Sequence, residues 1–471
     1  MGFKDLVYDI HDNLHYRKYY FYIFDTMNKP SLHYIFFILV ISLIFSGCLS
    51  TRIRIDGKKP NRYIENSEIL GNSFSGFILY DPEKDKIIHD YHGHRFFTPA
   101  SNTKILTFYT GKKVLGDSIP SLAYAFYQDT LYFTGKGDPT FLHPDFDYQP
   151  ALNFLCRNEL PLAYVPNHFI DKRLGPGWAW DDYPFVYSSE KSAFPLYGNV
   201  VWIDKRPMDS AFQILPNIFK DQFEIFRDTI YLLDSGEIKI DREEFNNQFS
   251  ILCQEIPDSL EEVVPFIHTD TLVKLLLEDT LRKKIFLKNQ FPDVRKNIIY
   301  SQPTDSLLKP MMIESDNFFA EQILLMCSNV LFDSMATEKT INFAESNYFS
   351  DCSEEMYWVD GSGLSRYNQF TPHAILHVLK KIYLENEKKY ISDIFPIGGI
   401  SGTMKNNFND LNSFVIAKTG SMSHVYNLSG YLITQKGKWM IFSFMNNNFT
   451  RPSSEIRKEI EKILLLIKNK Y

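Results

Sequence analysis

Five apolar, β-rich runs stand at opposite ends of this chain. Two lie near its beginning, Phe74 to Tyr80 and Lys86 to Tyr91, joined by the turn residues Asp81-Pro82-Glu83-Lys84-Asp85. Three lie near its end: Phe414 to Lys418, Leu428 to Thr434 and Trp439 to Asn446. Gln435-Lys436-Gly437-Lys438 turns between the last two. An isolated hairpin is marginal in water. The two ends are therefore expected to close on each other as one antiparallel sheet of five strands. Ile456, Ile460, Ile463, Leu464 and Ile467 form the apolar stripe of a last helix that flanks it. The fold class is α/β of the α+β type.

What lies between the two groups of strands is long. At 471 residues the chain exceeds one compact core, so two or more domains are expected. A helix is expected from Ser101 to about Lys113. Residues 126–291 then hold short strands, turns and acidic patches, and read as an inserted domain rich in β structure. Residues 66–125 and 292–471 form the domain that it interrupts. From Pro310 the helical period returns in MMIESDNFFAEQILLM, and Thr371 to Leu384 is a further helix with Pro372 in its first turn.

The net charge of -7 argues against nucleic acid as a partner. The beginning of the chain reads as an address. From Met27, the expected true start, Lys29 precedes an apolar run from Tyr34 to Phe45, and Ser46-Gly47-Cys48 follows as a small-residue cleavage site. The pattern resembles a bacterial lipoprotein signal. Residues 1–47 are then a signal segment, Cys48 carries the lipid, and residues 48–65 are a tether. The expected location is periplasmic, on a membrane through that anchor. Cys156, Cys253, Cys327 and Cys352 remain, open to pairing or to burial as thiols. His89, His92 and His94 lack a carboxylate or Cys partner at a known spacing and read as a polar strand end. No metal or cofactor is expected.

Ser-x-x-Lys occurs three times, at Ser101/Lys104, Ser188/Lys191 and Ser306/Lys309. Only the first has a Pro99-Ala100 approach and a helix start, where residues three apart share a face. It also has counterparts. Ser315-Asp316-Asn317 is the one Ser-x-Asn, and Lys418-Thr419-Gly420-Ser421 falls at the end of an expected strand. Asp360-Gly361-Ser362-Gly363-Leu364-Ser365-Arg366 is a glycine-rich loop with a charge at each end. Such a trio marks serine β-lactamases and penicillin-binding proteins. In that chemistry Ser101 attacks a carbonyl and Lys104 takes its proton. The lysine pKa must therefore fall from about 10.4 towards neutrality, and the charge of Lys418 is expected to push it there. Ser315 relays a proton to the leaving amine, and Asn317 holds Lys104 and a substrate amide. Lys418 and Thr419 meet a substrate carboxylate. The N–H groups of Ser101 and Ser421 form an oxyanion hole.

PASNTKILT, GKGDPTF, GPGWAWDD, MMIESDNFFAEQ, DGSGLSRYNQFTP, PIGGISGTMKN and KTGSMSHVYNLSGY follow one another from about residue 74 to 450. With these the chain resembles the D-alanyl-D-alanine carboxypeptidase/endopeptidase family, the class C low-molecular-mass penicillin-binding proteins. The resemblance implies a transpeptidase/β-lactamase-like domain interrupted by an insert, with peptidoglycan stem peptides as substrates and β-lactams as inhibitors that acylate Ser101. It adds Gly420, Asp360 and Arg366 to the substrate-binding residues. Ser421 stands where Thr is common, and about 205–290 matches no motif. A β-lactamase would need a deacylation base, and no Glu-x-x-Leu-Asn loop is present to supply one. A catalytically silent cell-wall binding protein would not need all of the motif side chains.

Overall fold

The structure, a computed structural model, describes residues 60–166, 169–209, 211–227 and 238–471. The signal segment, Met27, Cys48 and the first part of the tether lie outside the described residues. The last part of the expected tether belongs to the fold. Helix α1 (Pro60–Asn66) buries Pro60 and Ile64. Strands β1 (Phe74–Asp81) and β2 (Lys86–Tyr91) follow, and a 3-10 turn, Ala100–Thr103, leads into α2 (Lys104–Leu115).

The chain then enters its insert. In order come β3 (Ser118–Tyr127), β4 (Thr130–Gly135), α3 (Pro150–Arg157), β5 (Leu162–Tyr164), β6 (Val200–Lys205) and β7 (Gln213–Leu215). Next are β8 (Phe223–Arg227), β9 (Ile238–Arg242), β10 (Phe249–Cys253), β11 (Leu260–Pro265), α4 (Asp270–Leu281), β12 (Ile285–Leu287) and β13 (Asn297–Pro303). The return is helical: α5 (Asp305–Ile313), α6 (Asn317–Phe332), α7 (Thr337–Asn347), α8 (Pro372–Glu385) and α9 (Lys388–Ile394). Last come β14 (Val415–Met422), β15 (Val425–Ile433), β16 (Trp439–Asn447) and α10 (Ser453–Lys470). Among the described residues no helix is long and apolar enough to cross a membrane.

The two chain ends do close one sheet, in the order β14-β15-β16-β1-β2, with every pairing antiparallel. β16 joins them, lying against β1 with Phe77 opposite Phe444. β16 is buried along its whole length and β1 at all but its first residue, because helices cover both faces. On one face Ile456, Ile460, Ile463, Leu464 and Ile467 of α10 pack with Phe77, Leu79, Phe442 and Phe444. On the other, α2, α5, α6 and α8 share a core with Ile78, Tyr431, Ile441 and Met445.

The insert has a core of its own around Phe133, Tyr164, Phe194 and Phe266. Its main sheet, β12-β5-β4-β3-β13, runs across the expected boundaries. The break after residue 125 falls inside β3. β13, expected with the second catalytic part, pairs with β3 through Leu122 and Ile299. Both strands follow or precede a catalytic helix with almost no linker, so the composition changes later than the fold does.

The second Ser-x-x-Lys pair has a structural use. Lys191 is buried, with its Nζ 3.0 Å from Asp171 Oδ2, and that carboxylate also accepts the Thr337 N–H at the start of α7 at 2.9 Å. This ion pair of the insert thereby grips a catalytic helix. Lys309 of the third pair is exposed on α5. Lys191→Ala leaves the Asp171 carboxylate without its cation. The variant should lose about 3–5 kcal/mol of stability, read from the shift of its urea midpoint.

Candidate active site

Ser101 stands in the 3-10 turn before α2, so the expected helix begins three residues late. The strain sits one residue earlier, at Ala100, whose φ is 47°. Gly363 of the glycine-rich loop faces it. Its φ is 82°, and a Cβ there would lie 1.9 Å from the Ala100 carbonyl oxygen, so only glycine fits.

Lys104 opens α2 and is fully buried. Its Nζ lies 3.1 Å from Ser101 Oγ, 2.6 Å from Asn317 Oδ1 and 2.7 Å from the Ser362 carbonyl oxygen. An amide oxygen and a carbonyl can only accept. A neutral amine gives its two hydrogens to them, and its lone pair is left towards Ser101. Burial brings the Lys104 pKa down to about 8, against the charges of Asp316, Asp360 and Glu321. The expected cause, the ammonium of Lys418, is not what lowers it. Burial holds Lys418 well below the usual lysine range, and there the charge of Lys104 adds to the effect.

The Ser-Asp-Asn segment is the break between α5 and α6, where a continuous helical period was expected. Ser315 has a φ of 65°. Asp316 caps α6 by accepting the Phe319 N–H at 2.7 Å. This places Asn317 on the first turn of α6 beneath Lys104, and turns Ser315 towards Lys418, whose Nζ donates to Ser315 Oγ at 2.8 Å.

Lys418, Thr419, Gly420 and Ser421 lie on β14, the edge strand. Gly398 N–H donates to the Val415 carbonyl and Ala417 N–H to the Pro396 carbonyl, each at 2.9 Å. Odd-numbered residues thus point their backbone groups to the free edge. The strand period of two carries Thr419 and Ser421 to the same side. Gly420 packs on the turn that carries Ser101, where a Cβ would lie 2.5 Å from the Pro99 carbonyl oxygen. Thr419 Oγ1 and Thr403 Oγ1 are 2.7 Å apart. Ser101, Asn317, Ser421, Arg366, Asp182 and Tyr187 are among the residues lining one cleft of ≈ 380 Å³.

Arg366 is exposed on that cleft. Asp360, expected to bind substrate with it, does not line the cleft. It is fully buried, and its two oxygens accept from the N–H groups of Gly363 and Ser365, from Asn368 Nδ2 and from Trp178 Nε1, at 2.7 to 2.9 Å. The carboxylate is consumed in folding the loop that supplies the Ser362 carbonyl.

The family model of the D-Ala-D-Ala carboxypeptidase 3 (S13) family matches residues 59–226 and 271–469. The chain belongs to this family. It is a serine-type peptidase, a hydrolase acting on D-Ala-D-Ala. D-alanyl-D-alanine carboxypeptidase DacB of Haemophilus influenzae is 24% identical over 84% of this chain and 90% of its own length. D-alanyl-D-alanine carboxypeptidase of an Actinomadura species is 23% identical over 87% and 83%. The solved structure of penicillin binding protein 4 from Haemophilus influenzae superposes with a TM-score of 0.68 at 21% identity. The match covers 87% of this chain and 98% of that one, and shows a shared fold. The family match leaves out residues 227–270, which lie in the insert.

Five residues of this carboxypeptidase site escaped the sequence. Ser362 acts through its carbonyl, and Tyr187 through a carbonyl that accepts Asn317 Nδ2 at 2.9 Å. Backbone acceptors leave no trace in residue type. Thr403 and Trp178 lie in quoted motifs but had no assigned contact. Glu321, fully buried, accepts the Ser362 N–H at 2.8 Å. Burial and then the Asp360 carboxylate push its pKa up to about 7. Asp360→Asn turns one acceptor oxygen into a donor facing donors. It should cost about 1–3 kcal/mol of stability and slow acylation of Ser101 at least ~10-fold, measured by chemical denaturation and by timed labelling.

Proposed function

We propose that Ser101 is the nucleophile of a D-Ala-D-Ala carboxypeptidase that also opens D-amino-acid cross-links as an endopeptidase and binds penicillins. Lys104 takes the Ser101 Oγ proton as Oγ attacks the carbonyl carbon of the penultimate D-Ala. The N–H groups of Ser101 and Ser421 receive the developing oxyanion. As the C–N bond breaks, Ser315, bonded to Lys418, gives its Oγ proton to the leaving amine and takes in its place the proton that Lys104 accepted from Ser101, so that Lys104 is neutral again. Water then hydrolyses the acyl-enzyme with Lys104 again as base. Thr419, with Thr403 behind it, and Arg366 bind the substrate's polar groups. The observation that carries this reading is Lys104: buried, lowered towards neutrality, with its only uncommitted direction towards Ser101 Oγ. For the address we propose a signal segment ending before Cys48 and a lipid on Cys48. These would hold the enzyme on the periplasmic face of a membrane, where peptidoglycan lies.

A fluorescent penicillin should label the wild type covalently and leave Ser101→Ala unlabelled. Absence of label on the wild type would sink the reading, and fast turnover of the adduct would make the protein a β-lactamase instead.

The labelling rate should also depend on pH with a definite sign. Neutral Lys104 is the base, so the rate rises about tenfold per pH unit below 8 and levels off above it. Lys104→Arg, which stays protonated, should label ~10²–10⁴-fold more slowly at every pH. A rate that falls between pH 7 and 9 would remove Lys104 from the role.

A further inference from the structure

Away from the cleft, the end of β2 meets the first turn of α8. Asp90 is on the strand, His94 is in the turn that follows it, and His373 is in the helix's first turn. One ligand atom from each lies within 4.8 Å of the other two. His373 Nε2 is 2.8 Å from Asp90 Oδ2, and His94 Nε2 is 3.9 Å from the same oxygen. Ligand atoms on a tetrahedral zinc, with bonds of about 2.0 Å, stand about 3.3 Å apart, between these two values. We propose that Asp90, His94 and His373 bind one divalent cation of the zinc class.

Three further observations point to a ligand. First, His94 is oriented from behind. Its Nδ1 lies 2.8 Å from Glu354 Oε1, and Glu354 Oε2 accepts from Thr371 Oγ1 at 3.1 Å. A carboxylate on Nδ1 holds the proton there and leaves the Nε2 lone pair towards Asp90. The same carboxylate support stands behind metal-binding histidines generally. Second, the histidine rings of His94 and His373 stack at 3.9 Å and 11°. The stacking brings both rings to the same side of the Asp90 carboxylate. Third, Gly93 leaves room. A Cβ there would stand 2.5 Å from Asp90 Oδ1 and 2.8 Å from His373 Cδ2. Its own N–H donates to Asp90 Oδ1 at 3.0 Å, and its carbonyl accepts the His373 N–H at 3.1 Å. The turn is built around these side chains.

Two imidazoles and one carboxylate suit zinc more than calcium or magnesium, which take oxygen ligands. His94 is 67% exposed and His373 14% exposed, so the site opens to water on one side and a water completes the coordination. The ion would pin the sheet's outer strand β2 to α8. His92 takes no part, because its Nδ1 is engaged with the Ser75 carbonyl at 3.1 Å. The sequence offered His94 without its partner, since His373 is far along the chain.

The test is a zinc titration of the chelator-treated protein by calorimetry, with thermal melting in parallel. The wild type should take up one zinc ion and melt at higher temperature with it. His94→Ala/His373→Ala should bind zinc at least tenfold more weakly and lose the shift, while its labelling by penicillin stays at the wild-type rate. If the double variant fails to fold, Asp90→Asn replaces it with the same expectation. No saturable uptake by the wild type, or equal affinity in the variants, overturns the proposal.

Discussion

A buried amine is the constraint on which this structure turns. Lys104 can be held inside only if its hydrogens find acceptors, because an unpaired charge in a protein interior is far more costly than a paired one. The two acceptors come from segments far apart in the chain, the amide of Asn317 at the start of α6 and the carbonyl of Ser362 in the glycine-rich loop, while the hydroxyl of Ser101 faces the lone pair. Folding therefore assembles the site in order to satisfy the lysine. The same burial that is unfavourable to the fold produces the chemistry. Lowering the pKa from 10.5 to about 8 corresponds to roughly 3 kcal/mol against the charged form. The sign follows from linkage. The folded state loses this proton before the unfolded chain does, so stability rises with pH between about 8 and 10.5.

The insert takes part in this assembly. Its Tyr187 carbonyl fixes Asn317 from the side away from Lys104, and its Trp178 indole donates to Asp360, the carboxylate that organises the loop carrying Ser362. Each contact acts one step away from Ser101. Residues 227–270, outside the family match, are remote from both contacts in sequence. Both of these contacts come from the part of the insert that the family model covers.

The sheet was legible because its signal is local and its closure is forced: apolar runs with turn residues between them, and a single way for two ends to pair. The strand limits moved by only a few residues. Ser101, Lys104, Ser315, Asn317 and Lys418 were legible as a group because the chemistry proposed for them needs those residue types, and the structure brings them into contact. What the sequence hid falls into two kinds. Backbone acceptors such as Ser362 and Tyr187 have no residue signature. Charged residues in a conspicuous motif can serve the fold, as Asp360 does with four donors around it. The insert's expected limits cut across its main sheet because β3 directly follows one helix of the surrounding domain and β13 directly precedes another, so the composition does not change at the boundary.

The sheet order explains why Ser101 can be both half-buried among its partners and open to the cleft. An exposed edge strand is a liability that proteins cover. Here the edge of β14 is covered at Val415 and Ala417 by Gly398 and Pro396. That covering chain departs before Thr419 and Ser421, and the edge is left open beside Ser101. An extended peptide laid there would continue the sheet by one strand, with its backbone paired to β14 and a carbonyl carbon beside Ser101, as the proposed mechanism requires. Ser101 in the turn before α2, an open strand edge beside it and a buried lysine beneath it are one arrangement. Moving β14 to the interior of the sheet would remove the substrate's place without touching a single catalytic side chain.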